Sequence, residues 1–288
     1  MRNSILILIA LFSFNFLYPQ DFQGKAYYKS KTSFDLGPWG STMSTEQKNQ
    51  MKARMKNMLE KTFILTFNKG ESTFKEEERL RAPGQGRGWG SFGSSSGPRY
   101  KNVKEKMSLE EIEFFGKKFL VSDDLNEIKW EMTTEQKKIG DYTCFKAIAK
   151  KKAPFDWSEA FAPPRSRGDR ARQRGERSKD STDKKPEVKM IDIPKTIQIV
   201  AWYTPQIPVS HGPAEYGGLP GLILELTTDE TVLLCSKIVM NPKKKDEILM
   251  PTKGEKVTRI EYDEIVKLKT EEMKSMYQSG GMRSGRKH

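Results

Sequence analysis

The segment Gly217-Gly218-Leu219-Pro220-Gly221 runs directly into Leu222-Ile223-Leu224-Glu225-Leu226. Glycine permits backbone conformations that a side chain forbids, and proline fixes its own φ, so the first five residues predict a tight turn. The apolar run against that turn predicts a buried strand with a sharp entry. Along it Leu222, Leu224 and Leu226 face one way, and Ile223, Glu225 and Thr227 the other. Upstream, residues 196–204 predict another strand ending in Trp202-Tyr203-Thr204, and Pro205, Pro208, Gly212 and Pro213 punctuate the connection.

The rest of the chain repeats this grammar of short strands and turns. Residues 24–34 open with β-branched and aromatic residues. Ser44 and Gln47 form a capping box before a helix whose Met51, Met55, Met58 and Leu59 lie on one face, a stripe suited to packing on a sheet. Residues 62–67 and 71–77 flank Asn68-Lys69-Gly70, a hairpin turn in which Gly70 is free to take positive φ. Further strands are predicted at 111–115, 118–122, 129–132, 142–149, 231–240 and 255–262, and a weak helical period follows from 263 to 277. Residues 82–100 are Gly/Ser-rich and residues 154–194 are basic and rich in Pro, Ser and Asp; both predict disordered insertions. Arg167-Gly168-Asp169 in the second insertion is a chance triplet in a low-complexity stretch. The class expected is α+β and β-dominated: one curved antiparallel sheet over residues 21–262 with one or two packed helices, then a weakly helical and disordered tail over 263–288.

Residues 1–20 predict a signal peptide: Arg2 precedes an apolar run from 5 to 18, too short to span a bilayer, and no cysteine marks a lipoprotein anchor. The expected location is the periplasm or the exterior, with no membrane-spanning segment left after processing. The formal charge of +13 concentrates partly in Arg165, Arg167, Arg170, Arg172, Arg174 and Arg177. That placement predicts a solvated basic loop able to touch anionic surfaces, and no nucleic-acid partner.

Two cysteines, Cys144 and Cys235, both on predicted strands, permit a disulfide in an oxidising compartment; the alternative is two separately buried thiols. Two cysteines and one internal histidine do not make a zinc site, and no metal or cofactor is expected. His211, beside Ser210, is the one candidate for catalysis, with Glu225 as a carboxylate that nothing in the sequence pairs with it. No catalytic residue is assigned, and a non-enzymatic protein is expected. The candidate ligand or docking surface is Trp202, Tyr203, His211, Tyr216, Gly218, Leu219, Pro220 and Gly221, where rigid turns hold aromatic side chains. Leu219 and the run after it also read as plain core.

The hexapeptide Gly218-Leu219-Pro220-Gly221-Leu222-Ile223, with Ala201-Trp202-Tyr203-Thr204-Pro205 before it, resembles the signature of the GLPGLI family of exported Bacteroidota proteins. The glycine turn before Tyr142-Thr143-Cys144-Phe145-Lys146-Ala147 is similar to that family as well, and the resemblance covers roughly residues 22 to 260. It implies a cell-envelope protein without an established activity, and a role beside a TonB-dependent outer-membrane receptor. The strand order also looks like the half-open barrels of lipoprotein carriers such as LolA, which implies a second role as periplasmic carrier of an apolar ligand. A hydrolase centred on His211 is the third.

Overall fold

The computed structural model describes residues 22–33, 43–77, 94–125, 128–152, 196–228 and 231–281. Residues 1–20, where a signal peptide is expected, the insertion expected at 154–194 and the basic tail lie outside these residues. Twelve strands form one open sheet: β1 Gly24–Thr32, β2 Glu60–Phe67, β3 Glu71–Glu76, β4 Ser94–Asn102, β5 Met107–Phe114, β6 Lys117–Asp124, β7 Glu131–Ile139, β8 Tyr142–Lys152, β9 Thr196–Thr204, β10 Leu222–Thr227, β11 Thr231–Met240 and β12 Glu255–Thr258. Their order is β12-β6-β5-β4-β3-β2-β1-β11-β10-β9-β8-β7. Strands β1 to β6 make one meander and β7 to β11 a second, and the pairing of β1 with β11 joins them. The β-dominated open sheet is as expected, but it is mixed: β12 returns after β11 to pair parallel with β6.

Local chemistry explains most of the elements. Helix α1, Thr45–Leu59, starts where Gln47 N–H donates to Ser44 Oγ and Ser44 N–H donates to Gln47 Oε1, the full capping box. Met51 is half-buried, while the Met55 and Met58 side chains lie outside the described residues. The β2–β3 turn is closed by Asn68, whose Oδ1 accepts from the amides of Gly70 and Glu71. Gly70 does not take positive φ; the side-chain acceptor does what the glycine was expected to do.

Other boundaries move for identifiable reasons. The Gly/Ser-rich stretch becomes β4 from Ser94 onward, because β5 begins at Met107 and offers a full-length partner. The short strand expected at 129–132 is the start of a longer edge strand, β7, which runs on to Ile139 and is bulged between Met132 and Gln136. The strand expected at 255–262 ends at Thr258, where α2 (Arg259–Gly281) begins.

The chain separates into two compact units, one holding the residues to Lys150 and Gln198–Thr258, the other Lys151–Ile197 and the residues from Arg259 on. In the second, α2 buries Tyr262, Val266 and Thr270 at i, i+4 and i+8, and Thr270 Oγ1 donates to the Val266 carbonyl. Among the described residues no helix is long and apolar enough to cross a membrane.

In the first unit, directly paired residues share a face, which defines two sides of the sheet. The inner side carries Ala26, Leu65 and Phe74 in one register row and Ser30, Leu233, Leu226 and Ala201 in another. Of these only Leu233, at 8%, and Ser30, also at 8%, reach even that much exposure. On β10 the expected alternation fails: Leu222, Ile223, Leu224 and Leu226 are all buried, because the register with β9 shifts between Ile223 and Glu225.

Candidate functional site

The connection from β9 to β10 is fastened at both ends of its path by backbone hydrogen bonds. Gly218 N–H donates to Ser210 O, Leu222 N–H to Ile207 O, and Ile223 N–H to His211 O. His211 and Gly217 form an isolated antiparallel bridge. Side chains from elsewhere in the sheet pin its carbonyls: Trp130 Nε1 donates to Gly217 O at 2.8 Å, and Tyr28 Oη to Ile223 O at 2.6 Å. Gly218 has φ +83°, a left-handed conformation with open space beside it. Gly221 is needed for room: a Cβ there would sit 2.2 Å from the Thr204 carbonyl oxygen.

A further fastening is Lys101 on β4. It is buried, and its Nζ donates to the carbonyls of both Gly212 and Tyr216, each at 2.6 Å. Burial, then the nearby charge of Arg99, pulls its amine down to about 7. Arg99, two residues earlier on the same face, pairs with Glu110 of β5 and with Glu215 of the connection, the latter at 3.1 Å. Two positive groups of one strand therefore hold one side of the connection, from Gly212 to Tyr216.

His211 lies over the inner face, with its ring centroid 6.1 Å from that of Phe67. Its Nε2 is 3.0 Å from Asn68 O, and since a carbonyl only accepts, Nε2 carries the hydrogen. Burial first, then the charge of Lys101, lowers its pKa to about 3, so the ring is neutral. A base whose folded pKa lies below its unfolded value binds fewer protons when folded, so stability falls as pH drops from 6.5 toward 3. Urea unfolding at pH 6.5 and pH 4 should show a loss on the order of 3 kcal/mol from this group. A His211→Gln variant should flatten that slope; an equal slope would assign it elsewhere.

The other side of the sheet carries a different row. Glu225 of β10 pairs in register with Trp202 of β9 and Leu234 of β11, and Leu234 with Lys29 of β1. Lys137 of β7 reaches across to this row: its Nζ is 4.3 Å from the centre of the Trp202 ring and 2.8 Å from both carboxylate oxygens of Glu225. Cys144, paired directly with Lys137, lies beneath it and is buried, which pushes its thiol up to about 11. One row further, Thr227 pairs with Val232 and Val232 with Lys31. Val232 and Leu234 are 38% and 41% exposed.

The structure divides the candidate surface rather than assembling it. Tyr203, His211, Tyr216 and Leu219 are buried, and Gly221 is closed in by Thr204. Trp202 alone among the aromatics points to the outer face, half-buried under Lys137. Gly218 and Pro220 remain at the accessible edge of the turn. His211 and Glu225 do not converge: one is on the inner side, the other on the outer side and ion-paired.

Cys144 and Cys235 are both free thiols. Strands β9 and β10 lie between theirs in the sheet, so the two cysteines are not cross-strand partners. Cys235, next to Leu234 and paired with Tyr28, also faces the side opposite to Cys144. Sequence reasoning missed Lys101, Arg99 and Lys137, which no apolar or motif context distinguishes from surface bases.

A family model described as a protein of unknown function (Porph_ging) matches residues 130–225, the stretch from Trp130 through β7, β8, β9 and the connection into β10. No curated protein matches the chain. Among solved structures, the chain is similar to PNGF-II in its C2 and P21 crystal forms, at 12% and 13% identity and TM-scores of 0.46 and 0.45. These alignments cover 85% and 84% of this chain but 32% of each PNGF-II chain, so the chain spans about a third of their length.

Proposed function

We propose that this chain is an exported, non-enzymatic binding protein of the GLPGLI type, which docks an outer-membrane receptor in the cell envelope. The resemblance of Gly218–Ile223 and its surroundings to that family supports the compartment and the receptor. The observation that carries a docking role is the outer face of β1, β11, β10 and β9. There Val232 and Leu234 stand exposed between Lys29 and Lys31 on one side and Glu225 and Trp202 on the other. An apolar centre with a charged rim is the anatomy of a protein interface.

The alternatives have less support. A carrier would hold its apolar ligand on the inner face, yet Ile207, Val209, Tyr216 and Leu219 of the chain's own connection are buried in that core. A hydrolase would need His211 near a nucleophile and a carboxylate, yet its Nε2 bonds only Asn68 O, its Nδ1 has no partner among the described residues, and Glu225 lies on the other side of the sheet.

The test is recovery of partners on the tagged mature chain from native envelopes, compared with a Val232→Glu, Leu234→Glu double variant. Both sites are half-exposed, so unfolding stability should change by less than about 1 kcal/mol. A receptor retained by the wild type and lost by the variant is the expected result. A lipid or other apolar molecule recovered in near-stoichiometric amount, equally with both proteins, would favour the carrier instead.

A further inference from the structure

The inner face holds three polar groups whose hydrogen-bonding capacity is unspent. Ser72 Oγ and His211 Nδ1 are buried with no partner among the described residues. Lys101 Nζ spends two of its three N–H bonds on Gly212 O and Tyr216 O. These groups share one place. Ser72 pairs directly with Lys101 on β4 and with Phe67 on β2, so the three side chains lie in one row of one face. The His211 ring rests against Phe67, and the carbonyl that Lys101 grips belongs to the residue after His211.

The geometry points to an internal water-binding site bounded by Ser72, Lys101 and His211, which joins the β9–β10 connection to β3 and β4. The chemistry of the three groups selects the occupant. His211 Nδ1 is a bare lone pair, because Nε2 carries the ring hydrogen, so it needs a donor. A halide or a fully deprotonated anion would suit the ammonium but has no hydrogen to give Nδ1, and a metal cation would be repelled by the Lys101 ammonium. Water both gives and accepts, and three partners are what buried waters ordinarily make.

The same molecule serves both states of the amine. Beside the ammonium it accepts from Lys101 and donates to His211 Nδ1 and to Ser72 Oγ. Beside the neutral amine it donates to Nζ and to Nδ1, and accepts from the Ser72 hydroxyl. Beside the neutral amine every hydrogen has one acceptor. Beside the ammonium each group keeps a partner but the Ser72 hydroxyl hydrogen has no acceptor in the site, so the water fits the neutral amine best and still leaves no group unpartnered when the amine is charged.

A crystal structure of the full mature chain, refined to a resolution at which ordered waters are placed, tests this with the wild-type protein. The expected result is one fully occupied water within about 2.7–3.2 Å of Ser72 Oγ, Lys101 Nζ and His211 Nδ1. Electron density with no atom there would overturn the proposal, as would a direct Lys101 or Ser72 bond to Nδ1. Bromide-soaked crystals supply the remaining arm: an anomalous peak at this position would make it an anion site.

Discussion

Replacing Gly221 with alanine should cost more stability than any other single methyl added to the β9–β10 connection. The new Cβ would stand 2.2 Å from Thr204 O, 2.5 Å from Thr204 C and 2.8 Å from Pro205 N. All three are backbone atoms at the end of β9, so nothing can rotate away, and the turn or the strand must move. Overpacking of this kind costs roughly 1–3 kcal/mol where side chains can adjust, and more where they cannot. Gly218→Ala is the matched control: it strains a residue at φ +83° but meets nothing within 4 Å. It should lose only about 1–2 kcal/mol. Urea midpoints of the two variants separate steric exclusion from backbone strain, and equal midpoints would mean that Gly221 is not pressed against β9.

Lys101→Met should be nearly as damaging at neutral pH, for a different reason. Methionine fills the space of the lysine stem but donates nothing, so the carbonyls of Gly212 and Tyr216 are left buried and unpaired. Each such group costs about 1–3 kcal/mol, which sets the expected loss at several kcal/mol before any relief from removing a buried amine. That relief has a pH signature. Lys101 titrates near 7 folded and near 10.5 unfolded, so the unfolded chain binds more protons between those values and stability rises with pH. Above pH 9 the two thiols, both pushed up from 9.0 to about 11, act in the opposite direction. The clean window is therefore pH 7 to 8.5, where the wild type should gain up to about 2 kcal/mol and Lys101→Met should gain nothing from this source. A wild-type midpoint that does not rise in that window would show that the amine is not held near 7.

How much of this could be read from the sequence depended on whether the cause was local. Ser44 and Gln47 contain their own partner three residues away, and the capping box formed as written. The Gly218–Gly221 turn and the buried strand after it were equally legible, since glycine, proline and an apolar run act within a few residues. The fate of the aromatics beside the turn was not. Tyr216 is buried in a connection whose carbonyls are held by Lys101, on a strand more than a hundred positions earlier. Trp202 went outward because the alternation of β9 put Ala201 and Tyr203 on the inner side. Nothing in Arg99-Tyr100-Lys101-Asn102 announces burial, since the groups that bury Lys101 come from another part of the chain. The loss of alternation at Leu224 likewise follows from a register shift with β9, a property of two strands together.

The joining of the two meanders through β1 and β11 sets an order on folding. Strand β1 has its first neighbour, β2, within a few dozen residues, but its second arrives only with β11; Ser236 and the Tyr27 carbonyl it bonds are 209 positions apart. Until then the N-terminal meander ends in an unsatisfied edge, the kind of surface on which other chains nucleate aggregates. That edge is Lys25-Ala26-Tyr27-Tyr28-Lys29-Ser30-Lys31, with a lysine at three of its four outward positions. The charges that frame the proposed docking face in the finished protein would thus have served first as a guard, keeping a half-made sheet from pairing with the wrong strand while it waits for the right one.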